Sequence, residues 1–478
     1  MSSLSIHSSG PVDTGEELYG RWWRLGGESS AVPGILRVSP SESPRLELFG
    51  EMLGADFGSE TLLGLTVGGG PVTLVEAYCT QQTGSPADGE RDALFRETWS
   101  AQQALVGTHA SEGAKTLWEW FNFDTSHLAG WAPTKVSHRP LERQETGGRI
   151  QAMDIEVPAS IVCPLDIGEV RLTWQESGFY GATDRRITIT PIFAVRPLRP
   201  STTDDIWNQF VAPLQFLMNV LTGHPNRICQ FAVGRDENTR DGPYVHAKVY
   251  GTKWSGPAEA LALHEYRTRL SDLVDELPRL LAKWMEVYSS SRLALLQFEA
   301  RAYSESFLEE EFIRLTRAVE WWHRDNVGGL EMKKSAFATM KRKIKEVLTP
   351  EEWKLTNTRL AHGEELYFKN RVVETIERAG PPVSSVVEEY VGGISKFADR
   401  VGNTRNALTH GHRKEPMTPE EMAFAVHTLS LMFTGLLLRE LELEPALRER
   451  ALRSSDDWGI VNSPTNPFLR PDGVPGDA

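Results

Sequence analysis

Three residues near position 405 have side chains that together suit chemistry on a phosphodiester. They are Arg405, Asn406 and His410, in the stretch R-N-A-L-T-H, which is an R-N-x-x-x-H pattern. Arginine binds phosphate, an amide donates hydrogen bonds, and imidazole titrates near neutral pH. The set therefore favours acid–base cleavage of a phosphodiester, and we expect the substrate to be RNA.

The spacing alone is weak support, because Arg and His also fall four to six residues apart by chance in a chain with 12 His. Arg317 and His323 form such a pair, on an amphipathic helix whose charged side chains we expect to face solvent. The interpretation of Arg405 and His410 therefore depends on the elements that position them.

Helix signals lie on both sides of the motif. The pattern from Ser385 to Glu388 is a capping box, which predicts that a helix starts there. Gly411 follows the last predicted helical residue as a C-terminal cap, and the next helix opens with a second capping box from Thr418 to Glu421. We predict one helix over residues 385–410, whose C-terminus favours a protonated imidazole and would let His410 act as acid as well as base.

Length and composition limit the class of protein. With 478 residues and 40% hydrophobic content, the chain can support two or three domains with real cores. Cys79, Cys163 and Cys229 show no C-x-x-C spacing and leave one thiol unpaired in any disulfide scheme, which fits a reducing cytoplasm. We find no signal-peptide pattern at the start, and the longest apolar run, Ala423 to Leu438, is short for a membrane span. We expect a cytoplasmic protein with no membrane partner and a buried helix at that run.

The charge of the chain argues against a general nucleic-acid coat, since the net charge is −14. A negative net charge is still compatible with a local basic patch. The densest cluster includes Lys333 and Lys334, and the residues that we predict to contact RNA within it are Lys341, Arg342, Lys343 and Lys345. These side chains would guide an RNA backbone to His410, and the alternative is an ordinary solvated helix face.

No metal or other cofactor is expected. We find no G-x-x-x-x-G-K-[ST] loop, no H-E-x-x-H, no G-x-S-x-G and no paired C-x-x-C ligands. His410 and His412 stand one residue apart, but no nearby Cys or carboxylate completes a ligand set.

The N-terminal part is predicted to be β-rich. Short runs such as ILRV, RLELF, VTLVEAYC, VRLTW and RITITPIFAV alternate or are rich in β-branched residues, with turn residues between them. They indicate a β-sandwich or an open barrel, in which Gly68 to Gly70 form a hairpin turn. We expect the tryptophans of this part to fill the core, and the alternative is an exposed platform for a sugar or nucleobase. These tryptophans are Trp22, Trp23, Trp99, Trp118, Trp120, Trp131 and Trp174.

The C-terminal part is predicted to be a helical bundle, so the fold class is α+β. Leu308, Phe312, Leu315, Val319 and Trp322 recur at helical spacing and predict a packed helix, with Glu320 beside the apolar stripe. The predicted organisation is a disordered start, a β-rich domain with helices towards its end, a helical bundle and a flexible tail, over residues 1–15, 16–299, 300–445 and 446–478.

Both parts resemble a known family. The helical part, with an acidic residue in an early helix and R-N-x-x-x-H after a long one, looks like a HEPN domain. The N-terminal part, with YGRWW, a short loop to GILRV and then RLELFG, looks like the N-terminal domain of the ApeA-type anti-phage proteins. The two occur in that family in this order.

The resemblance implies a metal-independent endoribonuclease of phage defence that cleaves tRNA or another structured RNA and halts translation. It implies a homodimer through the HEPN domains and an N-terminal domain that senses a phage trigger. By position, His410 would deprotonate the ribose 2′-hydroxyl, Arg405 would hold the phosphate, and Asn406 would orient the imidazole or the phosphate. Glu320 would support Arg405 or the fold.

Two other classes of protein stay open at this point. One is a ligand-sensing protein without catalysis, whose HEPN-like bundle is a dimerisation scaffold and whose Arg405 and His410 satisfy helix-end carbonyls. The other is a carbohydrate-binding module, which exposure of the N-terminal tryptophans would indicate.

Overall fold

The computed structural model describes eleven stretches of the chain. They are residues 15–52, 58–83, 95–140, 151–180, 185–236, 245–251, 259–303, 306–360, 363–390, 392–411 and 416–469. The chain divides into two compact units, Met1–Ala282 and Lys283–Ala478. The division falls earlier than the boundary that we predicted near residue 300. The predicted disordered start lies outside the described residues up to residue 14.

The first unit is β-rich, as predicted. Its strands are β1 (Glu16–Arg24), β2 (Val32–Val38), β3 (Arg45–Leu48), β4 (Glu60–Thr66), β5 (Pro71–Thr83), β6 (Arg96–Ser100), β7 (Gln103–Val106), β8 (Trp120–Thr125), β9 (Lys135–Pro140), β10 (Gln151–Glu156), β11 (Ile161–Leu165), β12 (Gly168–Tyr180), β13 (Arg185–Pro197), β14 (Ile228–Arg235) and β15 (Val245–Tyr250). Strands β9 and β10 pair with each other, and the others form one continuous sheet.

Six of these strands close into a barrel in the order β5-β4-β1-β2-β3-β6, because β6 pairs back to β5. Strand β5 is shared: its first half pairs with β7, and its second half pairs with β6. Glu76, which has a φ of 51°, lies between the two halves. The turn predicted at Gly68 to Gly70 joins β4 to β5, as expected of a hairpin.

Alternation of side chains explains the barrel core. Along β2 every second residue is buried, and the inward residues join a cluster that includes Trp22, Leu36 and Trp99. Gly64 has to be glycine, since a Cβ there would lie 2.2 Å from Cε3 of Trp22. Of the seven tryptophans predicted to fill the core of this part, five are buried, namely Trp22, Trp23, Trp99, Trp118 and Trp131. An exposed tryptophan platform for sugar is therefore not supported.

The rest of the sheet runs in the order β7-β15-β14-β8-β13-β12-β11. One of its faces is rich in phenylalanine, and Phe121 of β8 meets Phe210 edge to face at 5.5 Å. The helices of this unit are α1 (Leu128–Trp131), α2 (Thr203–Ile206) and α3 (Ala212–Thr222). A π-helical turn, Trp207–Val211, leads directly into α3, and Pro213 lies in the first turn of that helix.

The second unit is helical, also as predicted. Its helices are α4 (Leu277–Tyr303, which begins in the first unit), α5 (Leu308–Asn326), α6 (Lys334–Val347), α7 (Pro350–Arg359), α8 (Phe368–Ala379), α9 (Val383–Glu388), α10 (Gly393–His410), α11 (Pro419–Glu440), α12 (Pro445–Arg453) and α13 (Asp456–Val461). Helix α11 packs on α5, α8, α9, α12 and α13. By length and composition α11 could cross a membrane, but 78% of its apolar window is buried, as in a core helix.

Two predictions for this unit differ from the structure. The single helix predicted over residues 385–410 is two helices, because α9 ends at Glu388 and α10 begins only at Gly393. Gly392 and Gly393 both have positive φ, at 82° and 64°, which interrupts the helical backbone between them. We also predicted a flexible tail from residue 446, yet α12 and α13 form there and bury Ala451, Leu452 and Val461. The Asp457 carboxylate accepts a hydrogen bond from Ser430 on α11 at 2.5 Å, which anchors α13. Residues 470–478 of the predicted tail lie outside the described residues.

Candidate active site

Helix α10 carries the R-N-x-x-x-H motif in its last two turns. His410 is its final residue, and Gly411 caps it with a φ of 64° and an N–H that donates to the carbonyl of Ala407, as predicted. Thr404 is fully buried and belongs to the face that packs on the bundle. The motif residues follow immediately, so they lie at the edge of the buried stripe.

The three motif side chains do not all share one face of α10. Asn406 and His410 are both exposed and lie four residues apart, which places them one above the other on the helix. Arg405 is five residues from His410, which corresponds to a rotation of about 140° around the axis. Its side chain is half-buried and turns towards α5 and α8.

Glu320 on α5 holds Arg405. Its Oε2 atom lies 2.5 Å from Nη2 of Arg405, and the guanidinium sits 4.6 Å from the ring centre of Phe368 on α8. The exposed fractions of the Glu320 and Arg405 side chains are 14% and 22%. The other carboxylate oxygen of Glu320 lies 3.2 Å from Nη2 of Arg324, so one acidic side chain bridges two arginines. The structure thus brings together Glu320 and Arg405, which the sequence had placed 85 residues apart.

A further set of polar groups behind this pair was missed by sequence reasoning. Arg371 on α8 is almost fully buried, and its Nη1 lies 3.2 Å from Nδ1 of His323, whose Nε2 lies 2.8 Å from Oε2 of Glu374. Glu365 lies 2.7 Å from Arg324 and 3.8 Å from Arg371, which joins this set to Glu320. Buried charges need such partners, so the set fixes α5 against α8 behind Arg405.

His323 was expected on a solvated helix face, but it is buried. It comes four residues after the buried Val319 on the stripe of α5, so the apolar periodicity alone could have placed it inside. Burial lowers the pKa of His323, against the opposing effect of Glu374. His323 therefore contributes to the packing of α5 against α8 and is not an exposed site residue.

The predicted RNA-binding side chains lie on α6. Arg342, Lys343 and Lys345 are exposed, and Lys341 is half-buried with its Nζ 5.8 Å from the ring centre of Phe337. None of the four makes an ion pair within the described part of the chain. Helix α6 packs on α7, whereas α10 packs on α5, α8 and α9. The structure therefore leaves this cluster available to phosphate but does not join it directly to the motif helix.

The described residues contain no group of three or more His, Cys, Asp or Glu side chains that could hold a metal ion. His412, which would be the second histidine of a His410 pair, lies outside the described residues.

Family comparisons match both units. A family model described as ApeA N-terminal domain 1 matches residues 17–284, which is more than half of the chain, and one described as Apea-like HEPN matches residues 313–447. The chain belongs to the ApeA-type HEPN proteins. The resemblance expected from YGRWW and R-N-x-x-x-H is thus confirmed, and the HEPN match spans Glu320 and all of α10. The two matches make this an anti-phage HEPN family protein. No curated protein and no solved structure matches the chain.

Proposed function

We propose that this ApeA-type protein is a metal-independent endoribonuclease of phage defence and that His410 is its catalytic base. HEPN domains are generally ribonucleases, and they typically dimerise and bind RNA. The observation that carries the proposal is the position of His410: it is exposed at the last residue of α10, one turn after the exposed Asn406, within the HEPN match. An imidazole so placed can reach a substrate hydroxyl.

In this mechanism His410 takes the proton of a ribose 2′-hydroxyl, and the 2′-oxygen attacks the adjacent phosphorus. The bond from phosphorus to the 5′-oxygen breaks, that oxygen takes a proton from solvent as it leaves, and His410 returns its proton to solvent. The products are a 2′,3′-cyclic phosphate and a 5′-hydroxyl. Asn406 would orient the phosphate or the imidazole by hydrogen bonding.

Arg405 would stabilise the charge that develops on the phosphate. Glu320 engages only its Nη2 atom, and Nε and Nη1 have no hydrogen-bond partner within the described part of the chain. A guanidinium offers five donors in a planar fork, so one edge can stay on Glu320 while the other faces a phosphate. The basic cluster at Lys341, Arg342, Lys343 and Lys345 would hold the RNA backbone.

We further propose that the protein is cytoplasmic and forms a homodimer through its HEPN domain. The first unit of each chain would respond to a phage-derived trigger. Sedimentation velocity of the purified chain, at concentrations on either side of the micromolar range, tests the dimer.

A second candidate function is a dimerisation scaffold without catalysis. The observation that favours it is that Arg405 already has two partners, Glu320 and Phe368, as a structural arginine would. Under this alternative His410 contributes only to the end of α10.

Cleavage of total cellular RNA in the presence of EDTA separates the two candidates. The wild type should leave cyclic phosphate ends, and His410→Ala should lower the rate by about 100-fold or more, the usual contribution of a general base. His264→Ala is the matched control, because His264 is an exposed histidine of the first unit. Equal cutting by His410→Ala and His264→Ala would remove His410 from the mechanism.

A cellular assay covers an enzyme that is idle before its trigger. Bacteria that express each variant are challenged with a panel of phages. A ribonuclease loses protection with His410→Ala and keeps it with His264→Ala, whereas a scaffold protects with both.

A further inference from the structure

The first unit contains a cavity of about 350 Å³ that no part of the proposed reaction uses. It lies on the sheet face opposite the phenylalanine-rich one. The strand register places Asn122 of β8, Ala232 of β14 and Lys248 of β15 side by side on that face. The residues that matter most for its chemistry are Asn122, Asp124, Gln175, Ile192, Gln230 and Tyr250.

A buried carboxyl group, that of Asp124, lines this cavity. Asp124 is only 4% exposed, and its Oδ1 accepts the backbone N–H of Gln230 at 2.7 Å. The register of β8 and β14 shifts at this point, between Ile228 and Gln230, which leaves the Gln230 N–H for the side chain. Asp124 makes no ion pair with the described residues, and burial raises its pKa to about 7. Burial of an acid without a cation is costly for the fold, and a ligand that donates hydrogen bonds to this carboxyl would offset part of that cost.

The groups that line the cavity with Asp124 include three amides and the aromatic ring of Tyr250. Asn122, Gln175 and Gln230 line the same cavity, each with an amide that can both donate and accept. Ile192 supplies an apolar wall and is 8% exposed. Tyr250 donates its hydroxyl to Oε1 of Glu16 at 3.2 Å, which holds its ring at the cavity. Such a mixture of an apolar wall with a few convergent polar groups is typical of small-ligand sites.

The Asp124 carboxyl group favours planar ligands that have two adjacent hydrogen-bond donors. An ionised carboxylate only accepts hydrogen bonds, so it pairs well with two adjacent N–H donors on one edge. Guanine presents such an edge, with its ring N–H beside its amino group. Adenine and cytosine place a ring acceptor beside their amino group, and that acceptor would face the carboxylate oxygens. The cavity volume is at the lower end of the range for ligand sites, which suits one base with its sugar.

We propose that this cavity binds a guanine base, as a nucleoside or nucleotide, with Asp124 accepting the two N–H donors of its edge and the amides completing the contacts. Lys248 lies at the cavity, with its side chain 61% exposed, and would meet a phosphate if the ligand carries one. The proposal holds whether or not the second unit cleaves RNA.

Isothermal titration of the full chain with guanosine, guanosine monophosphate and adenosine tests the assignment. Guanosine should bind, adenosine should bind at least tenfold more weakly, and tighter binding of the monophosphate would identify a nucleotide as the ligand. The affinity for guanosine should fall as the pH is lowered through 7, because protonation removes the acceptor. No binding of guanosine at millimolar concentration, or equal binding of adenosine, overturns the proposal.

Asp124→Asn is the decisive variant, since an amide oxygen keeps the bond from the Gln230 N–H but replaces the second acceptor with a donor. We expect it to weaken guanosine binding by at least tenfold. The matched control is Glu119→Gln, because Glu119 also accepts a backbone N–H, that of Asp236, at 2.7 Å, and it does not line this cavity. Equal loss in both variants, or none in Asp124→Asn, would refute the role of the carboxyl. If Asp124→Asn does not fold, the proposal is tested by the preference of the wild type for guanosine over adenosine.

Discussion

Removal of Glu320 tests whether the ion pair with Arg405 holds the candidate active site together. Glu320→Ala removes the only acidic partner of Arg405 within the described residues, whereas Arg324 keeps Glu365 at 2.7 Å. A pair at the surface contributes roughly 0–1 kcal/mol, whereas loss of one partner from a buried pair costs roughly 3–5 kcal/mol.

The exposure of the two side chains sets the expected magnitude. At 14% and 22% exposed, Glu320 and Arg405 are nearer to the buried case. Arg405 keeps its contact with the Phe368 ring, and its guanidinium can still reach water, which reduces the cost. We expect Glu320→Ala to destabilise the helical unit by about 2 kcal/mol. This corresponds to a roughly thirtyfold loss of hydrogen-exchange protection in α5 and α10.

Hydrogen exchange resolved by segment suits this measurement, because the chain has two units and one global unfolding curve would mix them. The matched control is Glu310→Ala on the same helix. Glu310 pairs with Arg314 at 2.6 Å, but its side chain is 51% exposed. We expect at most about 0.5 kcal/mol there. An equal effect of the two substitutions would refute the reasoning, as would additivity of Glu320→Ala and Arg405→Ala in a double-mutant cycle, where we expect a coupling of about 1 kcal/mol or more.

Two further outcomes follow from the charges of the described residues. The pKa of Asp124 is raised to about 7 in the fold from an ordinary 3.8, so the folded chain alone holds this proton between those pH values. The stability of the first unit should therefore fall as pH rises through that window, by about 4 kcal/mol at most, and hydrogen exchange in β8 and β14 should show this slope in the wild type but not in Asp124→Asn. If Lys343 contacts RNA phosphate, Lys343→Ala should reduce the slope of log affinity against log salt by about 0.7, measured by fluorescence anisotropy in a His410→Ala background. Lys354→Ala on α7 should leave it unchanged, and equal slopes in all variants would remove α6 from the interface.

Local signals explain what the sequence predicted correctly. The alternation of β2 and the Gly411 cap of α10 depend on residues that are neighbours in the chain, so single-chain reasoning finds them. Closure of the barrel depends on β5 pairing with both β7 and β6 on either side of Glu76. Nothing local in the β5 sequence specifies two partners, which is why a sandwich and an open barrel were both compatible with it.

The break between α9 and α10 was visible in the sequence but was outweighed. The capping-box pattern at Ser385 suggested one long helix, but α9 begins at Val383 without a side-chain cap and ends at Glu388. Gly392 and Gly393 adopt positive φ where α10 begins. Each glycine costs roughly 1 kcal/mol relative to alanine in a helix interior, so the pair was the better predictor. The predicted flexible tail differs from the structure for another reason. Its Pro- and Asp-rich composition resembles that of disordered segments, but the Asp457 side chain forms hydrogen bonds with Ser430 and His427 on α11.

The candidate site shows most clearly what spacing can and cannot establish. Arg405 and His410 are close along the chain, yet a five-residue separation on an α-helix turns their side chains about 140° apart. A single phosphate can meet both only if the arginine extends back from the side where Glu320 and Phe368 hold it. A lysine would offer one compact charge, for which the Glu320 carboxylate and the phosphate would compete. The planar fork of arginine can pair with Glu320 through one edge and present the other, which gives a physical reason for arginine at this position.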